Sequence, residues 1–300
     1  MVIAYIGVPV AQGADRKGVE LAPDFFRREG VIDMMNDIAG CYDLGNVVSS
    51  VIAEEKYTSG VDVKYLNTVV DINNQLRDKV LSVIKQNYFP LVVGGDHSLG
   101  LGSCAAAAMS SDNIGIIWFD AHGDYNTEET SPSGNLHGMP LAAMMGWCKS
   151  SLQSVVKTRV APKNIFWIGT RDLDAGEKEL AERYNLNIFS AEDVKKRGIV
   201  SVMSDIEEML EKNGINKVHL SIDIDGMDPS IVCGTGTRVD NGLNNSEFYT
   251  FIDRIFATRK VISTDFVEYN HLLDDKNHTT AKWCLEALHY LSLKIKEVDF

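Results

Sequence analysis

At 300 residues the chain exceeds the usual length of one domain, yet a parallel α/β sheet can absorb it, and 45% apolar content is ordinary for a globular protein. A formal net charge of −13 argues against nucleic acid and against an anionic membrane surface, since both need a basic footprint, and mildly favours a cationic small substrate. The five cysteines (Cys41, Cys104, Cys148, Cys233, Cys284) are scattered without C-x-x-C spacing and read as reduced thiols of a cytoplasmic protein.

The apolar N-terminus lacks a basic n-region and is too short to span a bilayer, so Val2–Gly7 reads as a buried first strand. A second strand is expected over Cys41–Gly45, and Glu54-Glu55-Lys56 reads as a solvated face. Val69, Ile72, Leu76, Val80, Val83 and Ile84 recur at helical spacing and predict a helix over Thr68–Lys85. Strands follow at Pro90–Val93, Ile114–Asp120 and Ile165–Gly169. A helix over Ser201–Lys212, a strand over Lys217–Asp223, a helix over Ser246–Ala257 and a strand over Val261–Phe266 come next. A last helix, Thr279–Lys296, carries Ala281, Leu285, Leu288, Leu291 and Ile295 on one face. The central strands are continuously apolar, as strands covered on both faces should be. Strands alternating with helices imply a parallel sheet with helices on both sides, and without a linker or repeat one domain is the simplest account.

Metal-type ligands gather at the ends of three of these strands. They are His97 after the third strand, Asp120, His122 and Asp124 after the fourth, and Asp223 and Asp225 after Ser221-Ile222. Alternation along a strand lets Asp120, His122 and Asp124 point one way, and likewise Asp223 and Asp225. Four carboxylates and two imidazoles would repel unless cations sat among them. Mixed oxygen and nitrogen ligation without thiolate suits Mn²⁺ or a similar ion, and this many ligands suggests two ions. Ligands in such sheets bind beyond the carboxyl ends of the strands, where all six lie. An aspartate at a strand end often only caps a turn, which for Asp120 or Asp223 alone would weigh as much as ligation. Asp228 before Pro229 reads as a turn, and Asp96 as a residue that fixes its loop. His219 reads as structural, while His271, His278 and His289 read as surface or helix-end residues. Gly95, Gly100 and Gly102 have the wrong spacing for a dinucleotide or phosphate loop.

Gly94-Gly95-Asp96-His97-Ser98, Asp120-Ala121-His122-Gly123-Asp124 and Ser221-Ile222-Asp223-Ile224-Asp225-Gly226-Met227-Asp228-Pro229 together resemble the ureohydrolase (arginase–agmatinase) family, in family order. The likeness runs from Ile6-Gly7-Val8-Pro9 to Glu268. Within the family it is strongest to the arginases, through Ser133-Gly134-Asn135-Leu136-His137-Gly138, Gly169-Thr170-Arg171-Asp172-Leu173-Asp174 and Glu268-Tyr269-Asn270. The resemblance implies one three-layer αβα domain over residues 1–300, around a mostly parallel sheet of roughly eight strands. It implies hydrolysis of L-arginine to L-ornithine and urea by a hydroxide bridging two Mn²⁺ ions per subunit. One ion would sit on His97, Asp120, Asp124 and Asp223, and the other on Asp120, His122, Asp223 and Asp225. Asp124 would also orient the hydroxide, Glu268 would pair with the guanidinium, and His137 would shuttle a proton. Asn126, Ser133 and Asn135 would face the α-carboxylate, Asp174 the α-amino group with Asp172 in support, and Thr237 the guanidinium site. A homo-oligomer is implied, trimer favoured over hexamer.

The chain departs from the family's pattern where Cys233 and Arg238 replace common prolines, which could loosen their loop. Arg238 is expected to point to solvent or to pair with an acid such as Asp240, and Cys233 to be a packing residue. His271 stands where a proline is frequent. Alternatives are another ureohydrolase (agmatinase, guanidinobutyrase or formimidoylglutamase type) and a non-catalytic metal-binding scaffold. A nucleotide-binding protein would need the glycine fingerprint that the chain lacks.

Overall fold

The computed structural model describes residues 1–51 and 63–298, so the Glu54-Glu55-Lys56 cluster lies outside the described residues. Eight strands form one sheet: β1 (Ile3–Val8), β2 (Cys41–Asn46), β3 (Phe89–Gly94), β4 (Ile114–Phe119), β5 (Ile165–Ile168), β6 (Asn187–Phe189), β7 (Lys217–Asp223) and β8 (Val261–Val267). Their spatial order is β2-β1-β3-β8-β7-β4-β5-β6, and every pairing is parallel. Among the described residues ten α-helices accompany it: α1 (Ala22–Arg28), α2 (Val31–Ala39), α3 (Leu66–Lys85), α4 (Gly100–Met109), α5 (Pro140–Met145), α6 (Ala175–Tyr184), α7 (Ala191–Arg197), α8 (Ile199–Lys212), α9 (Asn245–Ala257) and α10 (Thr279–Lys296).

The strict alternation of side chains across the sheet splits the apolar interior into two cores. Ile3, Tyr5, Leu91, Phe119, Leu220 and Phe266 pack with α1, α2, α8, α9 and α10 on one face. Ala4, Ile6, Val92, Ile116, Trp118 and Trp167 pack with α3, α4 and α5 on the other. This is the expected three-layer αβα arrangement, and the sheet is parallel throughout.

Seven elements escaped the sequence reading (β6, α1, α2, α4, α5, α6 and α7), and two of them show the physical reasons most clearly. β6 is a three-residue edge strand with a half-buried face, too short to show alternation. The α4 sequence, Gly-Leu-Gly-Ser-Cys-Ala-Ala-Ala-Ala-Met, is buried almost all round and has no polar stripe to reveal its period. Its small residues let it approach α3: a Cβ at Gly102 would lie 2.7 Å from the Asn73 carbonyl oxygen. The four middle strands, β3, β8, β7 and β4, end side by side, and the chain leaving each one enters the same region.

Candidate active site

Each of those four strand ends delivers chemistry. His97 follows β3, Asp120, His122 and Asp124 follow β4, Asp223 ends β7 with Asp225 in the turn beyond it, and Glu268 follows β8. Local turns aim the candidate ligands. Asp223 accepts the N–H of Asp225 at 2.8 Å, and Asp120 accepts the N–H of His122 at 2.7 Å. Asp96 caps the turn at His97 by accepting from Ser98 N, and it also accepts from Gly13 N at 2.8 Å, which is the loop-fixing role expected of it.

Three carboxylates converge on one ring nitrogen. His97 Nδ1 lies 3.0 Å from Asp120, 3.2 Å from Asp124 and 3.3 Å from Asp223. His122 Nδ1 lies 3.2 Å from Asp120 Oδ1 and 3.2 Å from Asp225 Oδ2. Asp120 thus turns one oxygen to each histidine, and it is the residue common to two clusters, His97–Asp120–Asp223 and Asp120–His122–Asp225. Asp223 joins only the first of these clusters, its second oxygen being taken by Asp225 N.

The chemistry of this donor set fits a pair of divalent cations. With protein groups alone, protons must balance the buried carboxylates. Burial, reinforced by Asp120, pushes Asp124 up to about 6, and burial with Asp225 and Asp120 pushes Asp223 well above the carboxylate range. Burial disfavours the charged imidazoles, yet the surrounding carboxylates outweigh it and hold His97 and His122 well above the ordinary histidine range. Cations would take over the positive charge those protons carry.

His97 is also oriented from behind. Its ring stacks on Trp118 at 3.9 Å, and Trp118 Nε1 donates to Asp120 at 3.0 Å. Its Nε2 lies 2.8 Å from Ser221 Oγ, which itself donates to Asp265 at 3.2 Å. A hydroxyl that gives its proton to a carboxylate must accept from the imidazole, so Nε2 carries hydrogen and Nδ1 is left to face the carboxylates. His219 and Ser103 bond the same Asp265 oxygen, which gives His219 the structural role expected of it. The sequence reading named neither Ser221 nor Asp265 as a site residue, since a polar residue inside a strand otherwise reads as tolerated polarity.

Outward from the cluster runs a cleft with His122, Asp124 and Asp223 on its wall. Asn126, Ser133, Asn135, His137, Asp172, Asp174 and Thr237 all line it. Thr237 Oγ1 donates to Asp225 at 2.9 Å, and Asn126 Nδ2 donates to Asp174 at 2.8 Å. Asp174 is also the N-cap of α6, in a reciprocal capping box with Glu177. Glu177 lines the cleft as well and was missed, because a glutamate three residues after a cap reads only as a helix start. Burial pushes its carboxyl up to about 8. Glu268 stands apart from the cleft wall. Its Oε1 accepts His97 N–H at 2.8 Å and lies 3.4 Å from His137 Nδ1. Burial lowers the His137 pKa, but the bond to Glu268 and its charge win, and the imidazole rises to about 9.

The loop carrying Cys233 and Arg238 is pinned rather than loosened. Arg171 is directed at its backbone, donating to Val239 O at 2.8 Å and Met227 O at 3.1 Å, and Gly234 N donates to Thr280 at 2.7 Å. Arg238 is exposed and bonds Leu273 O at 2.8 Å rather than Asp240. Cys233 is half-buried against Asp274 and Thr280, and the His271 ring lies tilted against Phe25 with centroids 4.9 Å apart.

The sequence profile of the Arginase family matches residues 2–293. The arginase of Bacillus subtilis (strain 168) is 38% identical over 291 residues, 95% of this chain and 97% of that protein. The solved arginase of Bacillus caldovelox superposes with a TM-score of 0.91 at 35% identity, covering 99% of this chain and 98% of that one. The Entamoeba histolytica arginase, solved in complex with L-ornithine, gives 0.87 at 33% identity over 98% and 97% of the two chains. The chain belongs to the arginase family.

Proposed function

We propose that this protein hydrolyses L-arginine to L-ornithine and urea with two Mn²⁺ ions per subunit. The observation that carries the reading is one cleft that joins a buried histidine–carboxylate cluster to a rim of amides, hydroxyls and carboxylates. The first suits metal-assisted hydrolysis, and the second suits the charged end of an amino acid. The relative solved with L-ornithine supports the same substrate class.

In this reading His97, Asp120, Asp124 and Asp223 hold one ion, and Asp120, His122, Asp223 and Asp225 the other. When bound, the ions supply Lewis acidity and lower the pKa of water, which a delocalised guanidinium carbon needs as a poor electrophile. The chain's own residues do the rest. Asp124 orients the attacking water by accepting a hydrogen bond from it. Glu268 offsets the guanidinium charge. As water oxygen bonds to the guanidinium carbon and the bond to the substrate's side-chain nitrogen breaks, His137 delivers a proton to that nitrogen; one of the water's two protons then restores the imidazolium and the other completes the product ammonium. Asn126, Ser133 and Asn135 hold the α-carboxylate. Asp174 faces the α-ammonium with Asp172 beside it, Glu177 holds Asp174 N in its capping box, and Thr237 fixes Asp225 at the guanidinium end.

Single-domain organisation over residues 1–300, a cytoplasmic location and homo-oligomerisation, trimer before hexamer, belong to the same proposal. Among the described residues no helix is long and apolar enough to cross a membrane. The test is urea release from L-arginine by purified, manganese-loaded protein. Absence of urea would refute the reading.

A further inference from the structure

Asn135 lines the cleft, yet its amide is also gripped from outside it. Lys64, buried just before α3, donates from Nζ to Asn135 Oδ1 at 2.7 Å. The same ammonium is held by both oxygens of Asp15, at 2.9 and 3.0 Å. Asp15 in turn accepts from Asn135 Nδ2 at 3.1 Å. The backbone repeats the connection, since Lys64 N donates to Gly134 O at 2.9 Å and His137 N to Gly13 O at 3.0 Å.

An ammonium has only donors, and an ionised carboxylate has only acceptors. The amide group next to Lys64 must therefore be its oxygen, and the group next to Asp15 must be its nitrogen. A half-turn of the Asn135 amide would set nitrogen against ammonium and oxygen against carboxylate, two repulsions at once. The remaining hydrogen on Nδ2 is thereby left as a donor, which matches an acceptor such as a carboxylate oxygen.

We propose that Lys64, clamped by Asp15, is a positioning residue that makes this site selective for substrates bearing a carboxylate, by fixing the donor face of the Asn135 amide. The inference rests on the amino-acid substrate proposed above. Lys64 does not line the cleft and touches no reacting atom, so its influence is confined to binding.

The test uses manganese-loaded Lys64→Met and Lys64→Gln, the second keeping a polar side chain in case the first does not fold. L-Ornithine binding is measured by calorimetry, alongside L-arginine kinetics and bound metal. The expected result is a roughly tenfold rise in the L-ornithine Kd and the L-arginine KM, the scale of one lost charged hydrogen bond. kcat and metal content should stay within about twofold, the signature of lost binding shared by ground and transition states. An unchanged KM, or a fall in kcat and metal that tracks the rise in KM, would overturn the proposal. Failure of the unsubstituted protein to release urea from L-arginine would overturn the reading of the site instead.

Discussion

Glu268 and His137 are coupled through one oxygen: Glu268 Oε1 lies 3.4 Å from His137 Nδ1 while accepting the N–H of His97 at 2.8 Å. The imidazole proposed to move a proton is thereby tied to the loop of a proposed metal ligand. Glu268 adopts a left-handed backbone with φ 67°, and Asp124 does so with φ 57°. For a non-glycine residue this conformation costs about 1–2 kcal/mol. It persists at Glu268 because its own N–H is taken by Gly95 O at 2.9 Å, so the strain is held by the loop that it helps to build.

Replacing Glu268 by Gln should lower the His137 pKa from about 9 toward the ordinary histidine value. Imidazole proton resonances followed against pH in metal-free protein will report the shift. Because the folded-state pKa is the raised one, the pair stabilises fully below about pH 6.5 and loses that contribution as pH climbs through 9. An unmoved midpoint in the variant would show that another group holds the proton.

Much of this arrangement was legible in the chain. The strands were readable because a strand buried on both faces is continuously apolar, and the six proposed ligands because they stand directly at strand ends. What the sequence hid is the support. Ser221 and Asp265 lie on neighbouring strands, β7 and β8, in paired register, a relation that exists only once the sheet is assembled. Glu177 was masked by its capping role. Lys64, Asp15 and Asn135 lie far apart in sequence, and nothing local marks their meeting.

Asp120 and Asp96 are both buried aspartates a short step from a strand end, but their oxygens are used differently. Asp120→Ala should remove bound metal and reduce urea release about a hundredfold or more, because both clusters lose a shared ligand. Asp223→Ala should do likewise, because the proposed assignment places Asp223 on both ions although it joins only the first of the two clusters. Asp96→Asn should keep most of its metal and lose about 1–3 kcal/mol of stability, since Gly13 N and Ser98 N compete for one remaining acceptor. Elemental analysis beside chemical denaturation separates the outcomes. Normal metal content in Asp120→Ala would refute the assignment.

Gly95 has no room for a side chain, since a Cβ there would overlap the Val10 backbone carbonyl. Gly95→Ala should therefore displace the turn that carries His97. The expected cost is about 1–3 kcal/mol in denaturant unfolding, with weaker metal retention. A variant of full stability and full metal content would show that the turn tolerates a shift.

Glu177 supplies a pH signature from a residue outside the proposed ligand set. Burial raises its pKa from 4.5 to about 8, so the folded state binds more protons than the unfolded state between those values. That contribution to stability falls as pH rises through the window. Glu177→Gln removes the titration, so its stability relative to the parent should improve steadily from pH 5 to pH 8. A constant difference across that range, measured by urea denaturation, would contradict the buried-carboxyl assignment.

The most direct measurement is urea release by manganese-loaded protein from L-arginine, agmatine and guanidinobutyrate at matched concentrations. The proposed reading predicts strong preference for L-arginine, because it sets Asn126, Ser133 and Asn135 against a carboxylate and Asp174 against an ammonium. Faster release from agmatine or guanidinobutyrate would contradict that assignment of the rim and leave only the metal-assisted hydrolysis standing.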